Sequence, residues 1–167
     1  MWYLHRGVVL TKDNLVRRNW NGSKKCAFCS HDETIQHLFF DCHFAKFIWR
    51  AVQFTFGLNI PSNVEHLFNY WLFQFDSKIR AQMLCGVSAL CWALWLSRND
   101  IVFDKSPMKT YMQVLYRGTH WLRTWAQLQK CEDDTNFIKE ACRALETTVM
   151  QLFTNHGWRF SNRITAQ

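Results

Sequence analysis

Two prolines in 167 residues, and no apolar/polar alternation longer than Gly7 to Leu10, leave this sequence little with which to interrupt a helix or build a sheet. It has no repeat, no low-complexity tract and no linker rich in Gly, Ser or Pro, so nothing in its composition divides it. The longest apolar run, Met83 to Leu96, spans fourteen residues and contains Gly86 and Ser88. That falls short of the roughly 20 residues needed to cross a bilayer, so a buried helix is expected rather than a membrane span. No secretory signal peptide is present and the seven cysteines are odd in number, which argues against a disulfide framework and for a reducing compartment, nucleus or cytoplasm. Arg6, Lys12, Arg17 and Arg18, with no acid before Asp13, give a faint likeness to a transit peptide without its Ser-rich character; mitochondrial import is the lesser alternative. Catalytic signatures are also missing. There is no Tyr-x-Asp-Asp-like turn to hold two Mg²⁺ ions, no P-loop, no Rossmann turn and no nucleophile elbow. The one acidic pair, Asp133-Asp134 beside Glu132, lies where a helix start is expected, and a solvated cap explains it.

What the chain has in abundance is aromatic area and positive charge. Nine Trp and fourteen Phe predict a core or binding surface built from large rings, and 167 residues are enough to bury such a core without help from a metal. The net charge of +7 is the footprint of a protein that meets something anionic. Residues 1–50 hold eight Lys or Arg against four acids.

Hydrophobic periodicity predicts helices throughout. Thr11 caps a short one through Arg18, ended by Asn21 and Gly22. Phe44, Phe47, Ile48, Ala51, Val52 and Phe54 mark a second, stopped by Gly57 and Pro61. Asn63 caps a third, Val64 to Phe75, and Ser77 opens a central one apolar nearly all round, with Arg98, Asn99 and Asp100 as its polar end and Ile101 to Phe103 beginning a connector. Ser106-Pro107 is the start signal for a helix to about Lys130, with Met112, Leu115, Tyr116, Trp121, Leu122, Trp125 and Leu128 inward. The last begins near Asp133 to Thr135, turns Phe137, Ala141, Leu145, Val149 and Leu152 inward, and is closed by His156 and Gly157. Trp92, Trp95, Trp121 and Trp125 recur at spacings of three and four and are expected in the core. The expected architecture is all-α, a bundle of about five or six helices with a zinc-stapled N-terminal lobe: residues 1–57 as the lobe and 58–167 as a bundle packed on it in one globular unit.

The zinc expectation rests on Cys26-Ala-Phe-Cys29, seven residues, His37, four residues, Cys42. Two cysteines two residues apart form a turn whose amides point at the sulfurs, and a His and a Cys further on complete a tetrahedron. Thiolates with one imidazole suit Zn²⁺ and exclude Mg²⁺ and Ca²⁺, and four protein ligands leave no open position for a reacting water. Lys24 and Lys25 are expected to help keep the thiolates deprotonated. His31 and His43 are alternatives to His37; His43 directly follows Cys42, and only one of two adjacent side chains can easily point inward. Glu33 imitates the general base of a metalloenzyme, but a closed site leaves it nothing to activate, and a structural or capping role is expected. Cys85, Cys91, Cys131 and Cys142 read as free thiols, small hydrophobes on helices.

The words Trp2-Tyr3-Leu4, Leu10-Thr11-Lys12-Asp13-Asn14-Leu15, Arg17-Arg18, Glu33-Thr34, His37-Leu38-Phe39-Phe40-Asp41-Cys42, Phe44-Ala45 and Ile48-Trp49, together with the ligand spacing, resemble the zinc-binding domain that lies after the reverse transcriptase in plant LINE-type, non-LTR retrotransposons. Leu94 to Asp100 with Val102-Phe103 resembles the segment C-terminal to that domain in grass genomes. The resemblance covers about residues 2–52, with a looser C-terminal extension. It implies Cys26, Cys29, His37 and Cys42 as ligands of one structural Zn²⁺ per chain, and no catalysis. It further implies a non-catalytic module that binds RNA or single-stranded DNA, here expected to stand alone with no polymerase ahead of it. Arg17, Arg18, Lys24 and Lys25 with Trp20 between them offer the cations and stacking ring for that contact; the bland alternative is a solvated helix end with Trp20 packed on the zinc lobe. A reading of another class is a co-opted plant interaction factor, regulatory or selfish and toxic, whose aromatic helices dock on a host protein.

Overall fold

A computed structural model describes residues 1–103 and 106–156; the Gly157 expected to close the last helix lies outside them. Among the described residues there is no strand, and the one extended pairing is an isolated antiparallel bridge between Lys25 and Asp32. The elements are α1 (Trp2–His5), α2 (Lys12–Val16), a π-helical turn (His37–Asp41), α3 (His43–Phe56), α4 (Val64–His66) running on through a π turn (Leu67–Trp71) and a 3₁₀ turn (Leu72–Gln74), then α5 (Ser77–Val102), α6 (Tyr111–Ala126) and α7 (Glu132–His156). The fold is the all-helical one the periodicity predicts. α6 packs between α5 and α7, and α3 closes against α7.

Local chemistry explains most of the boundaries. Gly57 takes the left-handed conformation (φ 65°) at the end of α3, and its N–H reaches the Gln53 carbonyl at 2.8 Å. Asn63 caps α4 by accepting from the His66 N–H at 2.7 Å. Asp76 rather than Ser77 caps α5, through the Lys78 N–H at 3.0 Å. The first short helix ends earlier than expected, at Val16, and Asn19 (φ 63°) makes the turn instead of Asn21 and Gly22. Trp20 N–H to Leu15 and Asn19 N–H to Val16 complete a Schellman pattern, which a left-handed asparagine supports nearly as well as glycine.

Four expectations are corrected. Ser106-Pro107 does not open α6: the Ser106 N–H is tied back to the Asp100 carbonyl, and Thr110 and Gln113 form a reciprocal capping box that satisfies two orphan amides where Ser106 satisfies none. α6 stops at Ala126, and beyond it the chain tightens into i−3 turns that leave Leu128 exposed. Arg98 to Asp100 do not end α5, which runs to Val102 with Arg98 fully buried. On α7 the inward stripe is Ile138, Cys142, Leu145, Val149 and Phe153, one residue on from the expected set at 137, 141 and 152, with Phe137 exposed. Adjacent apolar residues at those places support two stripes about 100° apart, and only the neighbouring helices choose.

The largest buried cluster runs from Leu4 and Phe28 in the zinc lobe through Trp49 and Trp71 to Leu145 and Phe153, so lobe and helices share one core. Trp49 is its largest fully buried side chain, and its indole N–H donates to the Phe39 carbonyl at 2.8 Å. Trp71 likewise donates to the Asn59 carbonyl. Of the four tryptophans expected in the core, Trp95 packs against the main cluster and Trp121 and Trp125 against a smaller second one, while Trp92 departs from that reading. Trp92 is 40% exposed, and Trp95, Trp121 and Trp125 are half-buried. α5, 26 residues long with a mean hydropathy of 1.4 over its most apolar window, is long and apolar enough to cross a membrane by length and composition. Its apolar sides are used within the fold, against α6 above all.

Candidate metal centre

The metal loop is a small hairpin. The Cys26 N–H donates to the His31 carbonyl and the Glu33 N–H to the Lys24 carbonyl, both at 2.8 Å, so residues 24–33 fold back and present two cysteines at the tip. The Phe28 N–H points at Cys26 Sγ, 3.4 Å away, the amide-to-sulfur geometry expected of a Cys-x-x-Cys turn. His37 and Cys42 come from the turn after it. In an α-helix residues five apart point about 140° from one another. Here the helix widens into a π turn, closed by the Cys42 N–H on the His37 carbonyl at 2.7 Å, and both side chains face the hairpin.

The donor atoms of Cys26, Cys29, His37 and Cys42 lie within 4.8 Å of one another, with Cys29 Sγ 3.2 Å from His37 Nε2. A zinc tetrahedron with ordinary Zn–S and Zn–N bonds places its ligands about 3.5–3.8 Å apart, so the quartet fits the ion with small adjustments. Cys26 and Cys42 are buried and Cys29 and His37 half-buried, which keeps the centre dry on one side. The hydrogen bond from Cys42 holds the Cys26 thiol down at about 4 against the cost of burial, with His37 and the Phe28 amide adding to it. Cys42 is pushed up by donating that bond and by its own burial, and Cys29 is raised chiefly by burial. Deprotonation of Cys26 therefore arises from its neighbours in the quartet. Lys25, expected to assist, spends its ammonium on Asp32 at 2.9 Å. Bound zinc supplies charge that deprotonates the other thiols and a crosslink between hairpin and π turn.

The two alternative histidines sit differently. His43 faces Phe44 and Tyr111, its ring 5.7 Å from that of Tyr111 and outside the quartet. His31 stacks on His37 with ring centres 5.5 Å apart and brings Nδ1 to 3.6 Å from Cys29 Sγ, a flanking position rather than one of the four.

Glu33 is a strut. It is buried, and its Oε1 accepts from the Lys12 N–H at 3.0 Å, capping α2, while its carbonyl takes the Asp13 N–H at 3.2 Å. Both carboxylate oxygens accept from Arg98 of α5. Sequence reasoning misses Arg98 as a partner because its place near a helix end reads as solvent-exposed. A basic residue within an otherwise apolar helix is the available signal.

Residues 1–49 match the family model described as zinc-binding in reverse transcriptase. No curated protein and no solved structure matches the chain at a significant level. The matched segment contains all four ligands and ends within α3, so α4 to α7 lie outside it. That model describes a zinc-binding domain rather than a catalytic one, and the quartet within the matched residues is arranged to hold a metal ion.

Of the residues expected to touch a partner, Arg17, Arg18, Lys24 and Lys25 are all exposed. Trp20 is 39% exposed, and its ring lies over Gly22, where any Cβ would collide with it. The indole is thus half committed to its own loop.

Proposed function

We propose that the chain is a non-catalytic zinc module that binds nucleic acid through the basic surface beside its metal hairpin. One observation carries this reading: Arg17, Arg18 and Lys24 are free of ion pairs among the described residues, while Asp32 is bound to Lys25 and Glu33 is buried against Arg98. Arg17 reaches only the neutral amide of Asn14, and Arg18 and Lys24 make no ion pair among the described residues. Such charge attracts phosphate by counterion release. The match of residues 1–49 to a reverse-transcriptase zinc-binding model supports the same direction. Retention of the zinc-loaded protein on RNA or single-stranded DNA, falling steeply with salt and lost when Arg17, Arg18 and Lys24 become Ala, is the expected result. No retention at low salt ends the reading.

A second reading, a module that docks on a host protein, has its own support. Phe54, Tyr70 and Phe73 expose 69%, 65% and 60% of their surface on α3 and the turns after α4, away from the basic hairpin in sequence. A pull-down that fails when these rings become Ser, with nucleic acid removed by nuclease, is what this reading requires.

A further inference from the structure

Between α1, the loop after it and the middle of α5 lies an open groove of about 650 Å³. Trp92 and Trp95 of α5, Trp125 of α6, Tyr3 of α1 and Val9 of the loop line it, and Arg18 stands among them as the one charged side chain of the described residues that do. The volume is that of a site for small planar groups. Its apolar area is uncovered: Trp92 is 40% and Tyr3 66% exposed. Packing does not require that exposure, since other large rings of this chain, Trp49 and Trp71, are buried.

Two further features define an occupant. The Arg18 guanidinium makes no hydrogen bond or ion pair among the described residues, and neither do the indole N–H groups of Trp92, Trp95 and Trp125. The groove therefore offers flat ring faces, free donors and a free cation at one place. An apolar peptide would use the rings and leave the cation idle. A polyanion with planar groups uses both. Arg18 is itself one of the cations assigned to phosphate above.

We propose that this groove takes unpaired bases of single-stranded nucleic acid, stacked on Trp92 and Trp125, with a backbone phosphate on Arg18. The proposal rests on the nucleic-acid reading and sharpens it, because a duplex hides its base faces and has nothing to stack. It makes the chain selective for single strands, which charge alone does not.

The test uses the full zinc-loaded chain, an oligouridylate, and an RNA duplex of the same length, titrated at several salt concentrations. The single strand is expected to bind more tightly and to quench tryptophan fluorescence. Trp92→Ala should weaken it about tenfold with an unchanged salt slope, while Trp92→Phe keeps most of the affinity. Arg18→Ala should lower the slope by about one, as loss of a phosphate contact does. A strand carrying 5-iodouracil should photocrosslink to Trp92, Trp125 or Tyr3, a readout that needs no variant to fold. Equal affinity for strand and duplex, with Trp92→Ala silent and crosslinks elsewhere, overturns the groove and leaves the basic surface standing. Absence of binding to either ligand at low salt removes both.

Discussion

Arg98 Nη2 donates to Glu33 Oε1 at 2.7 Å, across 65 residues of sequence, with both side chains essentially inaccessible to water. Nε adds bonds to both carboxylate oxygens, and the guanidinium lies 5.1 Å from the ring centre of Trp95. This pair couples the loop that carries the zinc ligands to the longest helix of the fold.

Breaking it by Glu33→Ala should cost about 3–5 kcal/mol in urea unfolding, because a buried guanidinium is left without a counter-charge. The double variant Glu33→Leu, Arg98→Met should recover most of that loss, since apolar residues of similar volume replace both charges. A single-variant loss under about 1 kcal/mol would show that water reaches the pair.

Metal analysis of protein prepared without chelator should find one zinc per chain. His37→Ala and Cys26→Ser should lower that content and loosen the N-terminal lobe, whereas His43→Ala should retain the metal, its ring being directed at Tyr111. The later helices should keep much of their circular dichroism, because Leu90, Leu94, Leu115 and Val149 bury their own area. Full zinc retention by His37→Ala would sink the assignment.

Alkylation of the native, zinc-loaded chain should modify Cys131 first. It is exposed, while burial pushes the thiols of Cys91 and Cys142 up to about 12 and about 11 and holds them as unreactive thiols. A chelator should then release Cys26, Cys29 and Cys42 together. Mass spectrometry of the labelled peptides gives the order; labelling of Cys91 ahead of Cys131 would contradict the packing of α5.

Glu146 on α7 should make stability fall in acid. Burial raises its carboxyl, but hydrogen bonds from Arg123 and Thr119 and the Arg123 charge outweigh that and hold it below its ordinary value of 4.5. A depressed carboxylate contributes fully above its ordinary value and loses that contribution as pH falls through the lower, folded one. Melting temperatures should drop across that window, and Glu146→Gln should flatten the drop. The effect is modest because the Arg123 side chain is 39% exposed and partly screened.

The residues legible in the sequence are those whose meaning is local. Gly57 and Asn63 do what their types do, and the quartet assembles within a span of seventeen positions, with every ligand on one hairpin or the turn after it. Asn19 takes the turn expected of Asn21 and Gly22 because either satisfies the same rule, and the hydrogen bonds to Leu15 and Val16 favour the earlier one. Thr110 with Gln113 prevails over Ser106-Pro107 because a capping box satisfies two amides at once.

By itself the sequence determined that the chain is helical, that zinc staples its N-terminal part, and that this part is basic, since periodicity, ligand spacing and charge act over a few residues and need no partner helix. Only the tertiary structure decided that Arg98 is an interior residue paired to Glu33, that α7 turns Ile138 and Cys142 inward in place of Phe137 and Ala141, and that Trp92 lines a groove. Each of these depends on how one helix is rotated against another. That rotation is set by the summed packing of distant side chains, where adjacent apolar residues offer nearly equal faces and the neighbouring helix makes the choice.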